Sequence, residues 1–142
     1  MARIKIELPR QFSFNLLIPI RITDINYGGH VGNDTVLALI HEARVQFLQH
    51  FGYKELELEG VGLIMSDAAI EFKAELFYGD IVRASVSAGD FSRIGFDIYY
   101  QFEKETKGKT VTAVIAKTGM VCYDYAAKKV IAVPEKVREK LR

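Results

Sequence analysis

One long helical pattern lies in a chain whose other apolar segments have the character of strands, and this contrast sets the fold. Between residues 33 and 51, apolar side chains recur at the spacing of an α-helix: Val36, Leu37, Leu39, Ile40, Ala43, Phe47, Leu48 and Phe51. So broad an apolar face is typical of a helix that is buried along most of its length. Asn33 or Asp34 is expected to cap the start of this helix, and Gly52 to end it.

The segments on both sides of the helix are β in character. Residues 12–23 predict a first strand, in which Pro19 favours a sheet edge or a bulge. Four further strands, rich in Val, Ile, Phe, Tyr and Ala, are predicted at 62–72, 81–88, 92–102 and 110–123. The last two connections are short, so these strands are expected to be antiparallel neighbours. Pro134 predicts a short C-terminal helix over 135–142.

This order of elements predicts the fold class. The chain of 142 residues is about the length of one domain, and no linker or repeat divides it. An antiparallel sheet wrapped around the single apolar helix buries both apolar surfaces. We therefore expect one α+β domain over residues 1–142.

Composition limits the function classes. A hydrophobic fraction of 49% and a charged fraction of 26% are typical of a soluble globular protein. The net charge of +1 argues against a nucleic-acid partner, because phosphate binding needs a concentrated basic face. The apolar run 16–20 is too short to cross a bilayer, and the N-terminus does not resemble a signal segment. With Cys122 as the lone cysteine, we expect a cytoplasmic protein without a membrane partner.

The polar segment between the first strand and the helix carries the candidate chemistry. Residues 21–33 read RITDINYGGHVGN, so a histidine on a glycine-flanked turn comes directly before a helix start. The segment resembles the R-x-x-D-x-D-x-x-G-H-V-x-N signature of hotdog-fold thioesterases related to 4-hydroxybenzoyl-CoA thioesterase. Glu42-Ala43-Arg44 and Gly79-Asp80 resemble further elements of that family. The resemblance implies a hotdog fold and acyl-CoA thioesterase activity.

The resemblance implies roles for three residues before the helix. Asn26 stands where those enzymes carry their catalytic aspartate, but an amide is not a general base and can only orient water or the thioester carbonyl. His30 is a plausible proton carrier, and plant acyl-carrier-protein thioesterases carry an active-site histidine at the matching position. Asp24 shares one face with Asn26 if the strand is extended. It is then either a structural anchor or a base that acts through a bridging water.

The start of the helix offers a place to bind the thioester oxygen. The first amides of a helix lack internal partners, and the resemblance implies that an amide near Asn33 binds that oxygen, while Gly32 leaves room for a ligand. Glu42 lies about 13 Å farther along the helix, so an ion pair with Arg44 or a contact across a subunit boundary is expected for it. Asp67 is a further candidate base, on a strand face that the sequence does not define.

Partners and alternatives complete these expectations. The substrate is expected to be an acyl-CoA or acyl-carrier-protein thioester, bound without a metal or other cofactor, in a homodimer or homotetramer. Lys104, Lys107 and Lys109 are expected at an exposed hairpin tip, with contact to the phosphates of coenzyme A as the alternative. A non-catalytic acyl-CoA-binding module is the main alternative function. A hotdog hydratase or dehydratase is disfavoured, because the G-H-F-P-x-x-P loop of fatty-acid dehydratases is absent.

Overall fold

A computed structural model describes residues 3–142. The elements in chain order are strand β1 (Phe14–Pro19), a 3-10 turn (Ile22–Asp24), helix α1 (Asn33–His50), strands β2 (Gly62–Phe72), β3 (Ile81–Gly89), β4 (Gly95–Thr106), β5 (Lys109–Asp124) and β6 (Lys129–Val130), and helix α2 (Glu135–Leu141). The predicted helices and later strands are confirmed to within a few residues at their ends.

The strands form one antiparallel sheet in the order β1-β3-β4-β5-β2, and β6 pairs with β5. The predicted neighbours β3, β4 and β5 are confirmed as consecutive hairpins. Strand β1 lies at one edge, and Pro19 is its last residue, opposite Ile81. Proline has no backbone N–H to donate to a neighbouring strand and is therefore tolerated mainly at sheet edges. Of the two positions predicted for Pro19, the edge is confirmed.

The predicted extension of the first strand to residue 23 is wrong. After Pro19 the chain turns, and Ile22–Asp24 form one turn of 3-10 helix. The backbone N–H of Arg21 donates to Oδ2 of Asp24 at 2.8 Å, which is the side-chain interaction that closes such a turn. This local hydrogen bond competes with extension of the ladder and ends the strand.

Helix α1 lies against the concave face of the sheet, where the core is formed. Residues of β4 alternate in burial, and Ile98, Tyr100 and Phe102 are fully buried on the face toward the helix. From the helix, Phe47 and Leu48 are also fully buried in the same core. The predicted architecture, a sheet wrapped around one apolar helix, is confirmed. Within residues 3–142, no helix has the length and apolar character needed to span a bilayer.

Candidate active site

A tight hairpin precedes α1 and contains two of the predicted site residues, Asn26 and His30. Ile25 and Val31 form an isolated antiparallel bridge, and the N–H of Asn26 donates to the carbonyl of His30 at 3.0 Å. The N–H of Gly29 donates back to the carbonyl of Asn26 at 3.1 Å. Gly29 has φ +86°, a left-handed conformation that favours glycine. The predicted sharp turn is confirmed.

The side chain of Asn26 supports this hairpin. Its Oδ1 accepts a hydrogen bond from the N–H of Gly28 at 2.9 Å, and its Nδ2 lies 3.3 Å from the position that a Cβ on Gly32 would occupy. Asn26 is solvent-exposed. Its one observed hydrogen bond therefore stabilises the turn of the hairpin.

The ring of His30 is held in one orientation. Its Nδ1 lies 3.1 Å from the carbonyl oxygen of Val31. Because a carbonyl oxygen only accepts, this contact assigns the proton of the neutral ring to Nδ1 and leaves Nε2 as an acceptor. His30 is half-buried, and its Nε2 lies 3.6 Å from the position that a Cβ on Gly28 would occupy.

The first turn of α1 presents unpaired amides. Gly32 is the N-cap and Asn33 the first helical residue, so the expectation that Asn33 or Asp34 caps the helix is wrong. The N–H of Val36 makes the first intrahelical bond, to the carbonyl of Gly32 at 3.1 Å. The amides from Asn33 to Thr35 thus have no helical acceptor. A Cβ at Gly32 would lie 2.6 Å from Oδ1 of Asp34, so only glycine fits without a shift.

The loop between β2 and β3 forms the opposite wall of a cleft. The N–H of Val31 donates to the carbonyl of Leu76 at 2.9 Å, which joins this loop to the hairpin. The cleft has a volume of about 270 Å³. Its polar lining comes from His30, Lys73 and Glu75 and from the start of α1 at Asn33, whereas Val36, Phe72 and Val114 are among its apolar lining residues. A carbonyl could here meet free amides and a histidine between apolar walls.

Lys104 fixes the position of this wall. Its Nζ donates to the carbonyl of Glu75 at 2.7 Å and to Oδ2 of Asp80 at 3.0 Å. The Lys104 side chain is only 9% exposed, so the expected exposed position of this lysine at a hairpin tip is wrong. A paired, largely buried ammonium group restrains the loop at two points.

Asp24 lies outside the cleft. It is buried, accepts the N–H of Arg21, and borders a separate groove between β1 and α1 that Glu42 also lines. The expectation that Asp24 and Asn26 share a strand face is wrong, because a 3-10 turn replaces the extended backbone at Asp24. The contacts of Asp24 are those of a structural anchor.

The other candidate carboxylates also lie elsewhere. Asp67 is exposed, and one of its oxygens lies 3.7 Å from Nζ of Lys117. Glu42 accepts a hydrogen bond from Gln46 at 2.7 Å. The expected pair of Glu42 with Arg44 is wrong, because Arg44 is paired with Glu55, at 3.6 Å. No group of three or more metal-ligating side chains occurs within residues 3–142.

The lining residues Phe72, Lys73 and Glu75 were missed by sequence reasoning. The turn signal at Gly79-Asp80 marks the end of their loop, but no pattern shows that the loop returns to the hairpin. That return depends on the bond between Val31 and Leu76, which joins distant parts of the chain.

Comparison with known proteins identifies the class that this fold and cleft define. The profile of the thioesterase-like superfamily matches residues 20–141. The chain therefore belongs to the thioesterase-like superfamily.

Individual relatives agree with this assignment. The chain is 26% identical over 116 residues to a candidate esterase from Aquifex aeolicus (strain VF5), a match that covers 80% of this chain and 86% of the relative. One similar solved structure is that of a 4-hydroxybenzoyl CoA thioesterase, an aspartate-to-asparagine mutant complexed with 4-hydroxybenzoyl CoA. It superposes on this chain with a TM-score of 0.81 and 17% sequence identity, and the match covers 91% of this chain and 98% of that one. A 1,4-dihydroxy-2-naphthoyl-CoA thioesterase from Synechocystis superposes with a TM-score of 0.78 and 19% sequence identity, and the match covers 90% of this chain and 94% of that one. These similarities confirm the hotdog fold.

Proposed function

We propose that this protein is an acyl-CoA thioesterase that hydrolyses a thioester to a carboxylic acid and free coenzyme A. One observation carries the proposal: the unpaired amides at the start of α1 and the ring of His30 border the same apolar-walled cleft. Structural relatives named as thioesterases of 4-hydroxybenzoyl CoA and of 1,4-dihydroxy-2-naphthoyl-CoA support this reaction class.

The chemistry follows from the groups in the cleft. The N–H of Asn33 donates a hydrogen bond to the thioester oxygen, and the positive end of the helix stabilises the negative charge that develops there. His30, through Nε2, accepts a hydrogen bond from the attacking water and positions it, while Asn26 keeps the hairpin in place. Water adds to the carbonyl carbon and loses one proton, the carbon–sulfur bond breaks, and the leaving thiolate takes up a proton to become the free thiol.

A non-catalytic acyl-CoA-binding module is the second candidate, and one residue favours it. Asn26 stands where the resemblance implies a catalytic aspartate, and an amide cannot deprotonate water. A panel of aliphatic and aromatic acyl-CoA thioesters, followed by release of free thiol, tests the two functions. Thiol release supports the thioesterase. Binding of the thioesters in calorimetry without any thiol release supports the binding module.

The carrier should affect the rate. The positive end of α1 favours an anionic carrier, so we expect the coenzyme A thioester to exceed its N-acetylcysteamine counterpart in kcat/KM by about tenfold, which corresponds to ~1.4 kcal/mol. Added salt should reduce the difference through screening. The measurement is kcat/KM for both thioesters of one acyl group at two salt concentrations. Equal values for the two carriers would contradict the proposed site.

We also propose that the protein forms a homodimer through the edge of β2 that pairs with no other strand within residues 3–142. This edge strand has eleven residues, and its side chains Met65 and Phe72 are 47% and 50% exposed. Long, apolar strand edges favour pairing with another chain. Because Phe72 also lines the cleft, a partner chain along β2 would lie beside the site.

Sedimentation tests the dimer. The wild-type protein is expected to sediment at no less than twice its monomer mass of 16.0 kDa, and Met65→Lys is expected to shift it to the monomer, because the charge would be buried at the interface. Leu17→Lys, on the opposite edge strand β1, is the matched control and should leave the dimer intact. A wild-type protein that is monomeric at micromolar concentration would exclude the dimer.

A further inference from the structure

The cleft contains a carboxylate that sequence reasoning did not identify. Within residues 3–142, Glu75 is the one acidic residue that lines it. Glu75 lies in the loop between β2 and β3, on the wall opposite the first turn of α1, and is solvent-exposed. Glu75 therefore lines the same cleft as His30 and the start of α1, where the thioester of the proposed function would bind.

The backbone around Glu75 is fixed on both sides. Its carbonyl accepts the bond from Nζ of Lys104, and the next carbonyl, that of Leu76, accepts the N–H of Val31. Earlier in the loop, the N–H groups of Lys73 and Ala74 donate to the carbonyl of Ala113 at 2.8 and 3.1 Å. Such anchoring fixes the backbone from which the Glu75 side chain extends, so the carboxylate has few positions to sample beside the cleft.

The Glu75 carboxylate is also uncommitted. Within residues 3–142 it forms no ion pair and accepts no hydrogen bond, since the bond from Lys104 goes to the backbone carbonyl. Glu71 differs: the N–H of Ile6 donates to it at 2.7 Å and Lys73 lies 3.2 Å away, and these two contacts lower its pKa.

The ring of His30 can interact with a water molecule through one nitrogen only. Nδ1 is hydrogen-bonded to the carbonyl of Val31, which leaves Nε2 as the acceptor. His30 can orient a water molecule through Nε2, whereas Glu75 lines the cleft from the loop between β2 and β3 and has a carboxylate without a partner within residues 3–142.

We propose that Glu75 is the general base of the reaction, an inference that rests on the proposed thioesterase function. Its carboxylate takes a proton from the water that His30 orients, while the water oxygen bonds to the carbonyl carbon. As the tetrahedral intermediate collapses, the carbon–sulfur bond breaks and Glu75 returns its proton to the leaving thiolate. The products are the carboxylic acid and the free thiol, and Glu75 is again ionised.

Glu75→Gln tests this assignment, because it keeps the size of the side chain and removes its basicity. General-base assistance contributes about 10²–10⁴-fold, so kcat is expected to fall by that factor while KM changes little. The matched control is Glu103→Gln. Glu103 is on the face of β4 away from the helix, where it pairs with Arg83 at 2.8 Å, and its replacement should leave kcat unchanged.

Chemical rescue separates a base from a structural group. Glu75→Ala opens space in the cleft for a small carboxylate, so sodium formate should restore kcat by about tenfold or more, whereas sodium chloride at equal ionic strength should not.

Three outcomes would overturn the assignment. If wild-type protein hydrolyses thioesters and Glu75→Gln retains its kcat, Glu75 is not the base and the thioesterase function stands. If Asp67→Asn produces the loss instead, the base is Asp67. If the wild-type protein hydrolyses no acyl-CoA at all, the proposed function fails and the assignment of Glu75 fails with it.

Discussion

Replacing His30 with alanine is expected to lower kcat by about 100-fold, with a much smaller change in KM. The ring, fixed by the 3.1 Å contact of its Nδ1 with the Val31 carbonyl, holds an acceptor nitrogen beside the cleft. Loss of this acceptor leaves the attacking water without orientation, and misplacement by about 1 Å can cost 10²-fold in rate. The measurement is steady-state thiol release from the best acyl-CoA substrate.

His50 supplies the control for this experiment. It is an exposed histidine at the opposite end of α1, where its ring lies 4.9 Å from that of Phe14. His50→Ala removes the same functional group far from the cleft, so kcat should stay at the wild-type value. Equal losses of kcat in the two variants would show that His30 acts through stability and not through the reaction.

Replacing Arg44 with alanine is expected to reduce the free energy of unfolding by about 3 kcal/mol, the cost of breaking a buried ion pair from one side. Arg44 is 7% exposed in the middle of α1. Its Nη1 donates to the hydroxyl of Tyr100 at 3.3 Å, and its Nε lies 3.6 Å from Oε2 of Glu55. Removal leaves the Glu55 charge with less compensation and opens a cavity beside Tyr100.

Denaturant unfolding at one fixed protein concentration measures this effect, because an oligomer's stability depends on concentration. A double-mutant cycle with Glu55→Gln separates the pair interaction from the loss of packing. Arg44→Met retains most of the volume, so it should be less destabilising in the Glu55→Gln background than in the wild type. A loss below about 1 kcal/mol for Arg44→Ala would show that the pair behaves as a surface ion pair.

Helix α1 shows how far periodicity predicts this fold. Its apolar spacing predicted a buried helix over 33–51, and the helix occupies Asn33–His50 with Phe47 and Leu48 fully buried. The edge position of Pro19 followed from its missing N–H. These predictions succeed because they depend on local sequence and on a single alternation between apolar and polar faces.

The site was less predictable because its geometry depends on individual hydrogen bonds. The side chain of Asp24 turns the chain after β1, so a face assignment based on an extended strand fails. Gly32, not Asn33 or Asp34, caps α1. Glu75 comes to the cleft through a backbone contact between Val31 and Leu76, and no periodic pattern encodes a contact of that range.

The pairing of β1 with β3 has a consequence for the order in which the protein folds. Strand β1 has no ladder partner until Ile81–Gly89 have been synthesised, because β3 is the one strand that pairs with it within residues 3–142. The hairpin and the start of α1 lie between these two strands in the sequence, and the wall that carries Glu75 immediately precedes β3. Closure of so long a loop is slow compared with helix formation. During synthesis the helix can therefore form early, whereas the cleft is completed only after the chain has emerged well past its midpoint.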